Sequence, residues 1–274
     1  MNLYNKLVPK LYGSGLGKIK PLANFNKYIR SKQKPNITSF YGFDIFLDKY
    51  DMSQLSVLGE KGKDYHEISF LQTKISKGNN VIDVGANIGL YTVLFSKWVG
   101  DYGKVWSIEP APDNYSLIQK TINYNKIRNV ELILKAVSDY DGKASLDISV
   151  DCTGYSMTKI KTKKMMEIQC MKLDNYFSDK TIDFVKIDAE GQELNVLKGM
   201  KTLLEKDVKM MIEFEPATHS NTNDPKETLE LLESFGYKFT DIGRNGVIIQ
   251  ISKQELLSRK EKKPDLYKNI YCEK

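Results

Sequence analysis

The sequence predicts a doubly wound α/β fold, in which a mostly parallel, seven-stranded sheet carries helices on both faces. Short apolar runs alternate with segments whose apolar residues recur at helical spacing. A glycine-containing turn follows the first of these runs directly, and acidic residues end the later ones. With 274 residues, 41% of them hydrophobic, the chain is long enough to bury such a core without disulfides or a structural metal.

The predicted elements alternate along the chain as this fold requires. Apolar runs predict strands at 81–84, 105–108, 130–137, 184–187, 208–214, 237–239 and 247–249. Helical spacing predicts helices at 64–76, 90–98, 115–122 and 194–203. A further helix is predicted to begin with Asp224 as its N-cap and Pro225 at its first position, and to end at Gly236.

Two parts of the chain lie outside this alternation. Residues 1–60 are predicted to form a basic arm followed by a small strand-containing extension, and residues 61–274 form the α/β domain. Within that domain, 144–150 and 167–171 are predicted to pair as a β-hairpin around 151–154. We interpret 142–172 as an insertion near the functional site, where it helps to select the substrate.

The positive charge of the chain is concentrated in the N-terminal arm. Residues 1–43 carry eight Lys or Arg and no Asp or Glu; since the whole chain is +6, the remainder is −2. Such an arm would suit peripheral contact with an anionic surface, such as lipid, a charged glycan or nucleic acid. The alternative is a solvated leader without a partner.

Composition argues against several classes of protein. Three cysteines without close spacing do not form a disulfide framework and suggest a reducing compartment. With two histidines and no metal-binding motif, no metal site is expected. No apolar run is long enough to span a membrane, and the N-terminus lacks the apolar core of a signal peptide. We therefore expect a cytoplasmic protein.

The segment 83–89 is the strongest candidate for a ligand-binding turn. Its glycines, Gly85 and Gly89, allow a sharp turn and close approach of the backbone, and the following helix presents free N–H groups. The spacing is G-x-x-x-G, whereas a pyrophosphate-binding turn would show G-x-G-x-x-G. This favours S-adenosylmethionine, for which Asp83 and the loop of Ala86 and Asn87 would supply hydrogen-bond acceptors and donors.

Acidic residues at two later strand ends complete the predicted site. Glu109 ends the second strand, 20 residues after Gly89, and this spacing suits hydrogen bonds to ribose hydroxyls. Asp188 and Glu190 follow the fourth strand at the same predicted edge. Clustered carboxylates there can act as bases, so both are candidates for catalysis, with His219 as a third.

Together these segments resemble the FkbM-type family of S-adenosylmethionine-dependent O-methyltransferases. The resemblance runs from about 67 to 215 and is carried by 83–92, 108–110, 136–138, 173–174 and 186–199. It implies the Rossmann-like class I methyltransferase fold. It also implies that Asp83, Gly85, Asn87 and Glu109 line the cofactor site and that Ser138 lies near the adenine. Ala86, Gly89 and Asp188 are predicted to bind the cofactor as well.

The resemblance implies transfer of a methyl group to a hydroxyl of a sugar, glycan or related small molecule. Two other functions stay open. One is a nicotinamide-dependent oxidoreductase. Such an enzyme would show the same order of strand, turn, helix and acidic residue, but its turn would carry the second glycine of G-x-G-x-x-G, which this sequence lacks. The other is a nucleic-acid methyltransferase that uses the basic arm, in which Tyr4, Tyr12, Phe25 and Tyr28 are interleaved with lysines.

Overall fold

A computed structural model describes residues 36–48, 64–147, 165–215, 224–243, 246–262 and 268–274 of the chain. The strands in these ranges are β1 (Ile37–Phe40), β2 (Phe43–Phe46), β3 (Asn80–Val84), β4 (Lys104–Ile108), β5 (Val130–Ile133), β6 (Ala136–Val137), β7 (Gly142–Asp147), β8 (Met165–Met171), β9 (Phe184–Ile187), β10 (Lys209–Phe214), β11 (Lys238–Ile242), β12 (Ile248–Ile251) and β13 (Lys268–Glu273). The helices are α1 (Tyr65–Lys74), α2 (Leu90–Val99), α3 (Pro112–Tyr124), α4 (Leu173–Tyr176), α5 (Glu193–Lys198), α6 (Lys201–Glu205), α7 (Pro225–Ser234) and α8 (Lys253–Lys262).

The main sheet of the described chain has eight strands in the order β12-β11-β13-β10-β9-β3-β4-β5. Strands β5, β4, β3, β9 and β10 are parallel, whereas β13 pairs antiparallel with both β10 and β11. Val84 is the register partner of both Ile108 and Ile187. The residues that follow these three partners therefore emerge at one level of one edge of the sheet.

Helices cover both faces of this sheet, as predicted. On one face α5, α6 and α7 pack against alternate residues of the central strands, including Ile82, Val185 and Ile212. On the other face α1 and α2 pack against the intervening residues, such as Val81 and Phe184. Burial on both faces explains why the central strands are nearly continuous apolar runs rather than alternating ones.

The sheet has eight strands rather than the predicted seven. The missed strand is β13 at the C-terminus, which inserts between β10 and β11 and has Ile270, Tyr271 and Cys272 fully buried. Its three apolar residues stand in a charged segment and do not alternate with polar ones. This short segment becomes an interior strand only because β10 and β11 leave space for it between them.

Two predicted elements are divided in the structure. The run 130–137 is not one strand: β5 ends at Ile133 in the main sheet, while β6 joins a three-stranded sheet by pairing parallel with β8. The helix predicted over 194–203 is split into α5 and α6, with Gly199 as the C-cap of the first. A Cβ at Gly199 would lie 2.1 Å from the carbonyl oxygen of Ser138, so this glycine permits close packing.

Several expectations about flanking segments can be compared with the structure. Strands β1 and β2 form an antiparallel hairpin that packs through Ile45 against α1 and α2. Strands β7 and β8 pair antiparallel, while the predicted turn at 151–154 lies outside the described residues. The basic arm up to residue 35 lies outside them as well. The predicted N-cap is confirmed, since Asp224 accepts hydrogen bonds from the N–H groups of Lys226 and Glu227.

Candidate active site

The turn after β3 is built from residues in left-handed conformation. Gly85, Asn87 and Gly89 have φ angles of +73°, +54° and +86°. A Cβ at Gly85 would lie 1.8 Å from the carbonyl oxygen of Asp188, in the loop after the neighbouring strand β9. Gly85 is therefore required both by its backbone angle and by the close approach of the two loops.

Glu109, at the end of β4, is attached to this turn. Its carboxylate accepts hydrogen bonds from the N–H of Asn87 at 2.8 Å and from the N–H of Ala111 at 2.9 Å, with Asn114 Nδ2 3.5 Å away. The residue is only 4% exposed. Burial raises the pKa of Glu109 to about 7, against the opposing effect of these hydrogen bonds.

The loop after β9 presents two carboxylates at the same edge. The N–H of Asp188 donates to the carbonyl oxygen of Val84 at 3.1 Å, which holds the loop against β3. Glu190 and Gly191 then adopt φ angles of +49° and +87°. The buried carboxylate of Glu193 accepts hydrogen bonds from the N–H groups of Ala189 at 3.0 Å and Gly191 at 3.1 Å, and so bridges this left-handed turn.

The charges of this loop perturb one another. Desolvation, and then the neighbouring carboxylates of Asp188 and Glu193, raise the pKa of Glu190 to about 7. Asp188 forms an ion pair with the buried Lys186, whose Nζ lies 3.0 Å from Asp188 Oδ2. The site thus holds Asp188 paired with a cation, and Glu190, whose proton affinity, like that of Glu109, is raised to the neutral range.

A pocket with about 640 Å³ of empty space, its open mouth included, lies between these strand ends. Its lining includes Gly85 after β3, together with Glu109 after β4 and Asp188 and Glu190 after β9, the two strands that flank β3. Apolar surface for a flat ring comes from several described residues: Val84, Ile108, Ala136, Val137 and Leu146.

The sequence-predicted residues divide into two groups. Gly85, Asn87, Glu109, Asp188 and Glu190 all line the pocket, so the structure brings them together. Other predicted residues do not line it: Asp83, Ala86, Gly89 and Ser138. His219 lies outside the described residues. The binding and catalytic roles of all these residues remain predictions.

Asp83 lies beneath the turn rather than in the pocket wall. It is fully buried, and its Oδ2 accepts a hydrogen bond from Thr92 at 2.6 Å, while Thr92 is also 2.8 Å from Ser107 Oγ. Its Oδ1 has no hydrogen-bond partner among the described residues. Burial raises the pKa of Asp83, while Lys186 acts in the opposite direction.

Ser138 and Gly89 also have structural surroundings that account for them. Ser138 is fully buried, and its Oγ donates to Asp139 at 3.2 Å. Gly89 is the left-handed N-cap of α2 and sits against the side chain of Ile118. Packing accounts for both residues at these positions, and their roles in cofactor binding remain predictions.

Sequence reasoning missed several pocket residues. Leu146 enters the pocket wall from β7, and Ala136 and Val137 enter it from β6. Gln192 also lines the pocket, is 3% exposed, and leaves its Nε2 without a hydrogen-bond partner among the described residues. The only sequence signal for Gln192 is its position in the acidic segment after β9. In that segment the carboxylates are the more obvious candidates for chemistry.

The described part of the chain contains no group of three or more His, Cys, Asp or Glu side chains that could hold a metal ion. None of the helices in that part is both long and apolar enough to cross a membrane.

The fold and the site together define an S-adenosylmethionine-dependent methyltransferase of the Rossmann-like class. The family described as the methyltransferase FkbM domain matches residues 83–239, more than half of the chain. The chain belongs to this family, which confirms the resemblance seen in the sequence. Its cofactor is S-adenosylmethionine, and the nicotinamide-dependent alternative is wrong.

Known proteins similar to this chain are distant in sequence. Hexuronic acid methyltransferase AglP of Haloferax volcanii is 24% identical over 222 residues, which cover 78% of this chain and 88% of that protein. Methyltransferase 1 of Beauveria bassiana is 22% identical over 144 residues, covering 44% and 57%. The crystal structure of methyltransferase FkbM from Methylobacillus flagellatus aligns with a TM-score of 0.45 at 15% identity, covering 94% of this chain and 61% of that one.

Proposed function

We propose that the chain transfers the methyl group of S-adenosylmethionine to a hydroxyl of a sugar, a glycan or a related small molecule. The observation that carries the proposal is the pocket itself, which is lined by Glu109 after β4 and by Asp188 and Glu190 after β9, on either side of the glycine turn after β3. The relative from Haloferax volcanii, named as a hexuronic acid methyltransferase, supports a sugar as the acceptor.

The residues present fit the cofactor. The carboxylate of Glu109 would accept hydrogen bonds from ribose hydroxyls, the role expected of an acid at this strand end. The backbone of Gly85 and Asn87 and the carboxylate of Asp188 would hold the amino-acid portion, and Ala136 and Val137 would contact the adenine. When bound, the cofactor supplies a methyl group activated by a positively charged sulfur.

Glu190 is the best-supported general base of the three candidates. It lines the pocket, where desolvation and the neighbouring carboxylates raise its pKa to about 7. A base is most effective when its pKa lies near the working pH, and it typically contributes about 10²–10⁴-fold. We infer that Glu190 removes the hydroxyl proton of the acceptor as the oxygen bonds to the methyl carbon and the sulfur keeps the electron pair of the broken bond.

Asp188 is assigned a different role. Its ion pair with Lys186 holds its carboxylate in the pocket wall, where it can orient the cofactor and the acceptor. Correct alignment of the reacting groups can contribute roughly 7–11 kcal/mol in displacement reactions of this kind. Replacement of Asp188 by Ala is therefore expected to abolish turnover in a protein that remains folded.

The test is methyl transfer from S-adenosylmethionine labelled in its methyl group to a neutral hexoside, the matching hexuronoside and an RNA. We expect label in a glycoside, and the label should resist mild alkali, because a methyl ether survives conditions that cleave a methyl ester. The variant E190Q should lose at least 10²-fold in kcat and should still bind the cofactor by calorimetry. Labelling of the RNA alone, or of no glycoside, would contradict the proposal.

A further inference from the structure

The structure contains a buried cation that the proposed chemistry does not yet use. Lys186 is 2% exposed and stands on β9, two residues before Asp188. Its Nζ lies 3.0 Å from Asp188 Oδ2 and 4.8 Å from the centroid of the Tyr91 ring on α2. An ammonium group is rarely buried in this way unless carboxylates compensate for the lost hydration.

Acidic residues on β3 and β10 and in the loop after β9 lie close enough to Lys186 to influence its ammonium group, while α2 contributes the Tyr91 ring. Asp83 on β3 is its register partner and has an oxygen without a hydrogen-bond partner among the described residues. Glu213 on β10 also acts on its charge, as does Asp188. On the α1 side, Glu67 receives hydrogen bonds from Asn269 at 2.7 Å and from Tyr91 at 3.4 Å.

This arrangement keeps Lys186 charged. Burial alone would lower the pKa of its ammonium group, but Asp188, through its charge and its hydrogen bond, and Asp83 more than offset that effect, so the pKa is raised. The cation is thus permanent at physiological pH. It hydrogen-bonds one carboxylate in the pocket wall and acts through space on others.

We propose that Lys186 is a positioning residue for methyl transfer: its buried ammonium fixes the Asp188 carboxylate in the pocket wall and supplies the positive charge that the surrounding carboxylates require. The proposal rests on the proposed function for its effect on turnover, but its contact with Asp188 is independent of that function. Lys186 also lowers the pKa of Glu190. Removal of the ammonium should therefore leave Glu190 protonated to a higher pH.

The variant K186M tests the proposal against a matched control, K74M. Lys74 lies on the same side of the sheet, pairs with Glu273 at 3.1 Å and lies over the Tyr271 ring at 4.7 Å, away from the pocket. Both variants remove a cation that pairs with an acid and lies over a ring, although Lys74 is the more exposed of the two. K74M therefore shows the general effect of losing such a contact, while only K186M should change the pocket.

We expect K186M to weaken S-adenosylmethionine binding at least tenfold by calorimetry and to move the acid limb of kcat/KM to higher pH. K186R should restore both properties in part, and K74M should change neither. In the double variant K186M/D188N, the loss of cofactor affinity should not exceed that of the more affected single variant. Wild-type affinity and an unshifted profile in K186M, or fully additive losses in the double variant, would overturn the proposal.

A measurement without a Lys186 variant guards against failure of K186M to fold. In protein labelled with ¹⁵N at lysine Nζ, a buried paired ammonium gives a slowly exchanging NMR signal. D188N should shift or abolish the signal of Lys186, whereas D179N should not, since Asp179 is an exposed partner of Lys180. An unchanged signal in D188N would refute the contact. If instead E190Q keeps full turnover, only the proposed base fails, and the cofactor affinities still decide the role of Lys186.

Discussion

The N–H of Asn87 donates a hydrogen bond of 2.8 Å to the carboxylate of Glu109, and this bond joins the turn after β3 to the end of β4. Asn87 has a positive φ angle, which is uncommon for a residue other than glycine. The N–H that Glu109 accepts thus belongs to a residue in an unusual backbone conformation. The turn and the acid are thus one structural unit at the edge of the sheet, where ligands bind in folds of this type.

This unit leads to a prediction for Glu109. E109A removes the acceptor of the N–H groups of Asn87 and Ala111 and should lower the free energy of unfolding by about 1–3 kcal/mol, the usual cost of an unpaired buried group. It should also weaken S-adenosylmethionine binding at least tenfold. E131Q is the control, because Glu131 lies on the neighbouring strand β5, pairs with Lys104 and does not line the pocket. Equal cofactor affinity in the two variants, measured by calorimetry, would refute the role of Glu109.

The close approach of two loops leads to a second prediction. G85A places a Cβ 1.8 Å from the carbonyl oxygen of Asp188, whereas G78A has a similar positive φ and nothing within 4 Å. Both should incur the cost of a left-handed alanine, about 1–2 kcal/mol. Only G85A should lose a further amount of about 1–3 kcal/mol from steric overlap. Urea unfolding measures both losses, and calorimetry should show weakened cofactor binding in G85A alone. Wild-type binding by G85A would mean that the loops after β3 and β9 can move apart without loss of cofactor affinity.

The bridge formed by Glu193 leads to a third prediction. Its carboxylate accepts the N–H groups of Ala189 and Gly191 around the left-handed Glu190. E193L removes this acceptor, so the loop should lose its shape, and kcat should fall at least tenfold. E193Q retains one acceptor oxygen and should be closer to wild type. Thermal melting and turnover of both variants check this, with E205L as a control on the exposed side of α6. Equal turnover in E193L and wild type would show that the loop keeps its conformation without the Glu193 carboxylate.

The carboxylate cluster leads to a fourth prediction, on pH. Burial, and then Asp188, Glu190 and Glu193, raise the pKa of Glu213 from its ordinary 4.5 to about 9. Between these two values the folded protein holds a proton that the unfolded chain has released. The contribution of Glu213 to the free energy of unfolding therefore falls as the pH rises through this window.

The variant E213Q should remove that dependence. The difference in melting temperature between E213Q and wild type should be more positive at pH 8 than at pH 5. Gln is neutral at both values, whereas the free-energy cost of keeping Glu213 protonated in the folded protein rises with pH. Melting curves of both proteins at the two pH values measure the difference. E205Q, which replaces an exposed glutamate, should show no such change. A difference of the opposite sign would mean that Glu213 is stabilised as an anion.

Much of the site could be anticipated from the sequence, because its residues follow buried strands directly. The positions of Gly85, Glu109 and Asp188 were predictable, since parallel strands in register bring their carboxyl ends to one edge. Side-chain direction was not predictable to the same degree. Asp83 turns inward to Thr92, and Gln192 lines the pocket, although both stand in the segments that the sequence singled out.

By itself, the sequence determined the α/β class, the family and the edge of the sheet at which the chemistry lies, because apolar periodicity and strand-end residues are local properties of the chain. Only the tertiary structure decided that β13 is a central strand, that 130–137 divides between two sheets, and that Lys186 is buried beneath the carboxylates. These features depend on the space and the charge that distant segments present to one another, and no local pattern of residues encodes them.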